Sequence, residues 1–173
     1  LMLPFLPMLP KQVLATNLLT DLPVMTIPSD AVDPEWVHTP RRWDLPFIKR
    51  FMVVFGLLSS AFDFLTFAVL LYGFHASAEV FWSGWFLVSV LTEIVILWIL
   101  RTRRPAWRSR PGRWLLWSSL ATAAFTLALP YTPFGADLPP TTVLILLGVV
   151  ILYGIANEVT KRWFYRHVSL GTY

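Results

Sequence analysis

The sequence predicts an all-α fold, a multi-pass transmembrane helical bundle with five spanning helices. Hydrophobic residues make up 56% of the chain and charged residues only 14%, whereas soluble domains carry about 25% charged residues. Apolar runs close to the length of about 20 residues that a bilayer-crossing helix needs recur along the chain. Most basic residues fall between these runs, as loop residues of a membrane protein do.

The spans and their connections follow from the apolar runs and the turn residues. The predicted spanning helices are residues 11–27, 49–74, 79–100, 114–131 and 141–163. Prolines at every third position from Pro4 to Pro10 disfavour a helix interior, so residues 1–10 are read as the end of a truncated helix and an outer loop. The chain begins with Leu1 and is therefore expected to be part of something longer. The remaining connections are a loop at 28–48, a basic loop at 101–113 and a tail at 164–173.

The basic residues predict the orientation. With five spans, alternate connections share one side of the membrane, and thirteen of the fourteen Lys and Arg residues fall on the same side. Only Lys11 lies opposite. By the positive-inside rule that side, which includes the C-terminus, is cytoplasmic. The arginines flank spans, so they indicate a lipid bilayer as partner, and no nucleic acid is expected.

The segment Asn17-Leu-Leu-Thr20-Asp21-Leu-Pro23 is the strongest candidate site. Helical spacing places Asn17, Thr20 and Asp21 on one face. Pro23 has no N–H and so frees the carbonyl of Leu19. Oxygen ligands of this kind suit a hard cation such as Mg²⁺ or Ca²⁺, and polar residues in a span otherwise serve to join helices. We expect this helix to bind a cation.

Two further acids lie inside predicted spans, where charge is costly. Asp63 has Ser59, Ser60 and Thr66 three or four residues away, and Glu93 has Thr92 and Ser89 nearby. Each acid can contact a transported ion or a neighbouring helix, and the sequence leaves both readings open. Asn157 and Glu158, at the end of the last span, are expected to be structural.

Soluble-type catalytic chemistry is excluded by what the sequence lacks. There is no cysteine, and therefore no disulfide or thiolate metal site. The three histidines, His38, His75 and His167, fall in different connections and cannot form one site. No Gly-rich phosphate loop, GxSxG or HExxH motif is present, so this chain alone cannot hydrolyse ATP.

Several segments, in order along the chain, resemble the C-terminal transmembrane region of magnesium-transporting P-type ATPases. The Asn17–Pro23 segment is similar to the family's sixth transmembrane helix. The other matching segments are Pro28-Ser-Asp30-Ala-Val-Asp33-Pro-Glu35, Pro40-Arg-Arg-Trp43-Asp44, Phe62-Asp63 with Leu65-Thr66-Phe67, Gly84-Trp85-Phe86, Arg101-Thr102 and Lys161-Arg-Trp163-Phe164. The eighth helix of the family often carries an acid where Val88 stands here and Gln where Glu93 stands.

The resemblance implies that the five spans are the family's helices six to ten. It implies Mg²⁺ as the transported ion, with Asn17 and Asp21 at ion-site positions. ATP would act only through cytoplasmic domains absent from this chain. The expected partners are those domains and the N-terminal helices of the same ATPase, in the plasma or inner membrane. The alternatives are a stand-alone channel or secondary cation carrier using Asp21 and Asp63, or an inactive truncated product.

Overall fold

The computed structural model describes residues 5–31, 44–132 and 135–168. In these ranges all regular structure is helical, which confirms the all-α prediction. The five α-helices are α1 (Pro10–Val24), α2 (Leu45–Ala68), α3 (Ala78–Leu100), α4 (Arg113–Ala128) and α5 (Pro140–His167). A π-helical turn, Val69–Gly73, prolongs α2, and short 3₁₀ turns follow α1, α3 and α4.

Three of the described helices are long and apolar enough to cross a membrane: Leu45–Gly73, Ala78–Leu100 and Pro140–His167. The other two have 15 residues (α1) and 16 residues (α4). At 1.5 Å per residue they measure about 22 and 24 Å, short of a hydrocarbon core of about 30 Å. Five crossings therefore stay a prediction, although five α-helices are present.

Local sequence explains where the long helices begin. The Asp44 carboxylate accepts a hydrogen bond from the Phe47 N–H at 3.1 Å and caps α2. The Ser77 hydroxyl accepts one from the Val80 N–H at 3.4 Å and caps α3. Such caps satisfy the N–H groups that a helix start leaves free. α5 starts at Pro140, where the missing proline N–H costs nothing.

Helix α3 is the centre of the bundle, in contact with each of the other four helices. Its neighbours converge where Gly84 faces Leu70 and Leu146. A Cβ at Gly84 would lie 2.9 Å from Leu70 Cδ2 and 3.2 Å from Leu146 Cδ1, so a larger residue here would require these leucine side chains to shift. Glu93 lies on this central helix.

Several predicted connections lie wholly or partly outside the described residues. These are positions 1–4 of the first segment, 32–43 of the long loop, 133–134 before α5, and 169–173 of the tail. Much of the loop motif that resembles the ATPases, including Asp33, Glu35 and Trp43, lies in the second range. The residues predicted to bind a cation all lie on described helices.

Candidate functional site: a polar cluster between two helices

The predicted cation motif lies on α1, as expected. Asn17 and Asp21 are exposed and share a face, one turn apart. Thr20 is buried, and its hydroxyl donates to the Thr16 carbonyl at 3.0 Å. The Thr20 oxygen keeps lone pairs for another partner while its proton satisfies the helix. The two strongest ligand candidates thus face away from the packed side of α1.

Pro23 lies inside α1, and the helix continues through it to Val24. The carbonyl of Leu19, four residues earlier, accepts a hydrogen bond from the Thr122 hydroxyl of α4 at 3.3 Å. The oxygen freed by the proline is therefore already used between helices. A carbonyl oxygen has a second lone pair, so a role for Leu19 in cation binding remains a proposal.

Glu93 of α3 joins the α1 cluster. Thr20 and Glu93 line one cavity, and Asp21 is near enough to Glu93 to act on it electrostatically. Like charges this close at membrane depth are unfavourable without a cation or a proton between them. In the sequence Thr20 and Glu93 lie on separate helices, and the packing of α1 against α3 brings them to one cavity.

A cavity of about 660 Å³ extends from this cluster along α1 and α3. Thr20 and Glu93 line it, together with the Asp30–Arg101 ion pair. The wall residues between them are mostly apolar: Pro23, Val24, Ile27, Ile94, Ile96, Leu97 and Leu100. Because Arg101 follows the last residue of α3, this cavity extends from Glu93 to the start of the basic loop 101–113.

The third predicted acid, Asp63, lies in a different place. It lines a smaller cavity of about 310 Å³ between α2, α3 and α5. Tyr153 and Glu93 line the same cavity. Glu93 therefore borders both cavities, whereas Asp63 lines only the smaller of the two. Glu93 thus shares the larger cavity with Thr20 and the smaller one with Asp63, whereas Asn17 and Asp21 lie on the exposed face of α1.

The polar side chains of α1 and α3 offer oxygen atoms as ligands for a cation. We call this set the α1–α3 cluster; it consists of Asn17, Thr20, Asp21 and Glu93. Within the described ranges, no group of three His, Cys, Asp or Glu side chains could hold a metal ion by itself. Two carboxylates, an amide and a hydroxyl supply part of an oxygen shell, and Mg²⁺ commonly keeps several of its waters.

Sequence reasoning missed the polar layer at the C-terminal end of α3. Lys161 of α5 is fully buried, and its ammonium donates to the carbonyls of Ile99 and Arg104, each at 2.9 Å. Glu158 pairs with Lys161 at 2.9 Å. The spacing of Tyr153, Asn157 and Lys161 at every fourth position was the available signal, since it places all three on one face of α5.

A second ion pair closes the end of the larger cavity that lies beside the basic loop. Arg101 donates to Asp30 at 2.8 Å, and both side chains are buried. Asp30 also accepts the Gly112 N–H, while Arg101 reaches the Ser109 carbonyl at 2.6 Å. The loop after α1 is thereby tied to the basic loop 101–113. The Asp30 and Arg101 positions belong to the segments that resemble the ATPases, but their pairing is visible only in three dimensions.

Comparison with known proteins agrees with this architecture. The family described as cation transporting ATPase, C-terminus, matches residues 5–163. Similar curated proteins are named magnesium-transporting ATPase, P-type 1: one from Salmonella typhimurium is 37% identical over 95% of this chain, and one from Escherichia coli K12 is 38% identical over 92%. A further Salmonella typhimurium relative is 33% identical over 94% of the chain. The chain spans 19% of the length of each, and it belongs to the cation-transporting ATPase C-terminus family.

Proposed function

We propose that this chain is the membrane ion-binding and support region of an ATP-driven magnesium transporter. The single observation that carries the proposal is that Thr20 of α1, which directly precedes Asp21, and Glu93 of α3 line one cavity. The relatives' printed names, magnesium-transporting ATPase, support Mg²⁺ as the ion. ATP hydrolysis belongs to parts of the complete protein that these residues do not contain.

In this proposal Asn17, Thr20, Asp21 and Glu93 supply oxygen ligands to the transported ion. The exposed Asn17 and Asp21 face leaves room for the remaining helices of the same ATPase, which would complete the ion's shell. The Leu19 carbonyl is a further ligand when it is not occupied by Thr122. The larger cavity joins this site to the basic loop, which the positive-inside rule places in the cytoplasm together with the C-terminus.

The remaining surface fits a lipid bilayer. α2 and α5 carry rows of exposed aliphatic side chains that no described residue covers: Met52, Val53, Leu57, Leu144, Ile151, Leu152, Ile155 and Val159. Exposed apolar side chains in such number favour lipid or other membrane helices over water. It supports a multi-pass protein of the cell membrane.

The test is ATP turnover as a function of free magnesium in the complete transporter. ATP is supplied as its magnesium complex throughout, so that the nucleotide substrate is never limiting. Asp21→Asn keeps the shape and removes the charge, and we expect it to abolish activation by magnesium. Glu93→Gln should raise the magnesium concentration for half-activation about tenfold, which corresponds to about 1.4 kcal/mol. Asn17→Ala should have a smaller effect because a neutral ligand binds a hard cation less strongly.

The matched control is Asp137→Asn, a change at an aspartate in the connection before α5. It makes the same chemical change outside the cluster and should leave magnesium activation as in the parent. Unchanged activation in Asp21→Asn would show that α1 is not the ion site. A loss in Asp21→Asn with normal insertion and expression supports the proposal.

A further inference from the structure

We propose that Thr122 of α4 is a positioning residue for the α1–α3 cluster, because its hydroxyl replaces the backbone hydrogen bond that Pro23 removes from α1. The inference rests on the proposed function, since it concerns the helix that carries Asn17, Thr20 and Asp21. It adds a residue from a third helix, which acts through the shape of α1 and not on the ion itself.

Pro23 interrupts the backbone hydrogen bonds of α1 close to the proposed ligands. In an α-helix the N–H of residue 23 would bind the carbonyl of residue 19, but proline has no N–H. The turn from Leu19 to Pro23 contains Thr20 and Asp21. Two residues further on the pattern resumes, because the Met25 N–H donates to the Asp21 carbonyl at 2.8 Å. The missing bond therefore belongs to the turn that carries two of the proposed ligands.

The Thr122 hydroxyl supplies the missing donor from outside the helix. It donates to the Leu19 carbonyl at 3.3 Å, and Thr122 is 2% exposed. A backbone carbonyl that is kept from water needs a donor, and within a bilayer that donor has to come from the protein. Thr122 thus closes the turn that Pro23 leaves open.

Other threonines of these two helices use their hydroxyl protons within their own helix. Thr20 donates to the Thr16 carbonyl at 3.0 Å, and Thr126 donates to the Thr122 carbonyl at 2.8 Å. Such a bond to the carbonyl four residues earlier is common for a threonine inside a helix. The Thr122 hydroxyl reaches α1 instead, so its bond joins two helices.

A second hydroxyl contact holds α1 on the other side of the proline. The Thr26 hydroxyl donates to the Pro23 carbonyl at 2.7 Å and lies 3.3 Å from the Ser118 hydroxyl of α4. Ser118 and Thr122 are four residues apart and share one face of α4. Helices bend most readily at a proline. Because α4 contacts α1 before and after Pro23, it limits how far α1 can bend there.

A bend at Pro23 would move the proposed ligands relative to each other. Asp21 lies in the turn that lacks its backbone bond, and Glu93 belongs to α3, so their separation depends on the course of α1. Mg²⁺ demands near-ideal octahedral geometry, and small displacements of its ligands therefore weaken binding. While Thr122 occupies the Leu19 carbonyl, that oxygen stabilises the helix, and Thr122 acts on ion affinity through it.

The experiment measures ATP turnover against free magnesium in the complete transporter, with ATP supplied as its magnesium complex. Thr122→Val keeps the shape of the side chain and removes the hydroxyl. It should raise the magnesium concentration for half-activation about fivefold, the factor that corresponds to one ordinary hydrogen bond, with the maximal rate little changed. Thr122→Ser keeps the hydroxyl and should resemble the parent.

Thr126→Val is the matched control. It removes the hydroxyl of a buried threonine on the same helix, one turn away, whose hydrogen bond stays within α4. Its half-activation concentration should be that of the parent.

Pro23→Ala separates positioning from packing. Alanine restores the N–H of residue 23, so the Leu19 carbonyl gains a donor inside α1 and no longer depends on Thr122. Thr122→Val should then change the half-activation concentration by less than about twofold relative to Pro23→Ala alone. If Pro23→Ala is not activated by magnesium, the same four proteins are compared by SDS unfolding in mild detergent, and Thr122→Val should destabilise the Pro23→Ala protein less than the parent.

An unchanged or lowered half-activation concentration in Thr122→Val would overturn the inference. So would an effect of Thr122→Val that is equally large with and without Pro23→Ala, or an equal effect of Thr122→Ser. If Thr122→Val does not insert into the membrane, the double variant with Pro23→Ala must do so, and its failure would also overturn the inference. Asp21→Asn is measured in parallel, because unchanged activation there refutes the proposed function, whereas lost activation there with a parental Thr122→Val refutes only the role of Thr122.

Discussion

The fully buried Lys161 should be the most sensitive single charge in the described bundle. Its ammonium makes three contacts at 2.9 Å, with the Ile99 and Arg104 carbonyls and the Glu158 carboxylate. It thereby ties α5 to the last turn of α3 and to the basic loop. Lys161→Met keeps a flexible stem of similar length and removes the charge and its three hydrogen bonds.

The expected loss of stability depends on the groups that lose their hydrogen-bond or ion-pair partner when Lys161 is replaced. The Glu158 side chain, only 8% exposed, would keep Arg162 at 3.2 Å and lose its buried partner. Two carbonyls would also lose their donor. Removing one member of a buried ion pair costs about 3–5 kcal/mol. Because Arg162 partly compensates Glu158, we expect a loss at the lower end of that range, about 3 kcal/mol, for Lys161→Met.

Arg162→Met is the matched control, because Arg162 pairs with the same carboxylate but is 43% exposed. Exposed pairs contribute about 0–1 kcal/mol, so this change should cost less than about 1 kcal/mol. The assay is unfolding of the purified protein in mild detergent by added SDS, followed by tryptophan fluorescence. The double variant Lys161→Met/Glu158→Gln should be less destabilised than the sum of its two single variants. Equal losses in Lys161→Met and Arg162→Met would refute the reasoning.

Further substitutions probe packing and topology. Gly112→Ala would place a Cβ 3.0 Å from the Asp30 Cα, and should cost about 1–3 kcal/mol by overpacking, measured by the same SDS unfolding. Gly56→Ala meets nothing within 4 Å and should leave stability unchanged or raise it by up to about 1 kcal/mol. Cysteines at Ala106 and Ala136 lie before and after α4 and should react with a membrane-impermeant thiol reagent from opposite sides of sealed membranes. Labelling of both from one side would contradict five crossings.

The helical architecture could be predicted because the length and hydropathy of the apolar runs indicate membrane helices. The run that contains α3 is long and mostly apolar, with Glu93 as its one charge between Val80 and Leu100, so its bounds, Ala78–Leu100, lie within one residue of those predicted. α1 is harder to predict, because an Asp and a Pro interrupt a short apolar run, and hydropathy does not show where such a helix ends. Its α-helical part stops at Val24, three residues before the predicted end.

The candidate site could be predicted only within single helices. The spacing of Asn17, Thr20 and Asp21 is a local property of α1 and follows from helix geometry. The cavity that Glu93 shares with Thr20, and the one that it shares with Asp63, depend on how α1, α2 and α5 pack against α3. A single sequence does not give the distances between residues on different helices. By sequence, Lys161 likewise groups with the loop-facing basic residues, because sequence cannot show that a cation near a helix end turns inward.

The central claim is that the α1–α3 cluster carries the transported ion, and magnesium uptake tests it most directly. The complete transporter is placed in sealed vesicles with a magnesium-sensitive dye inside, and ATP-driven uptake is compared between the parent, Asp21→Asn and the control Asp137→Asn. We predict uptake in the parent and in Asp137→Asn, and none above the ATP-free background in Asp21→Asn. Uptake by Asp21→Asn at the parental rate would contradict the account.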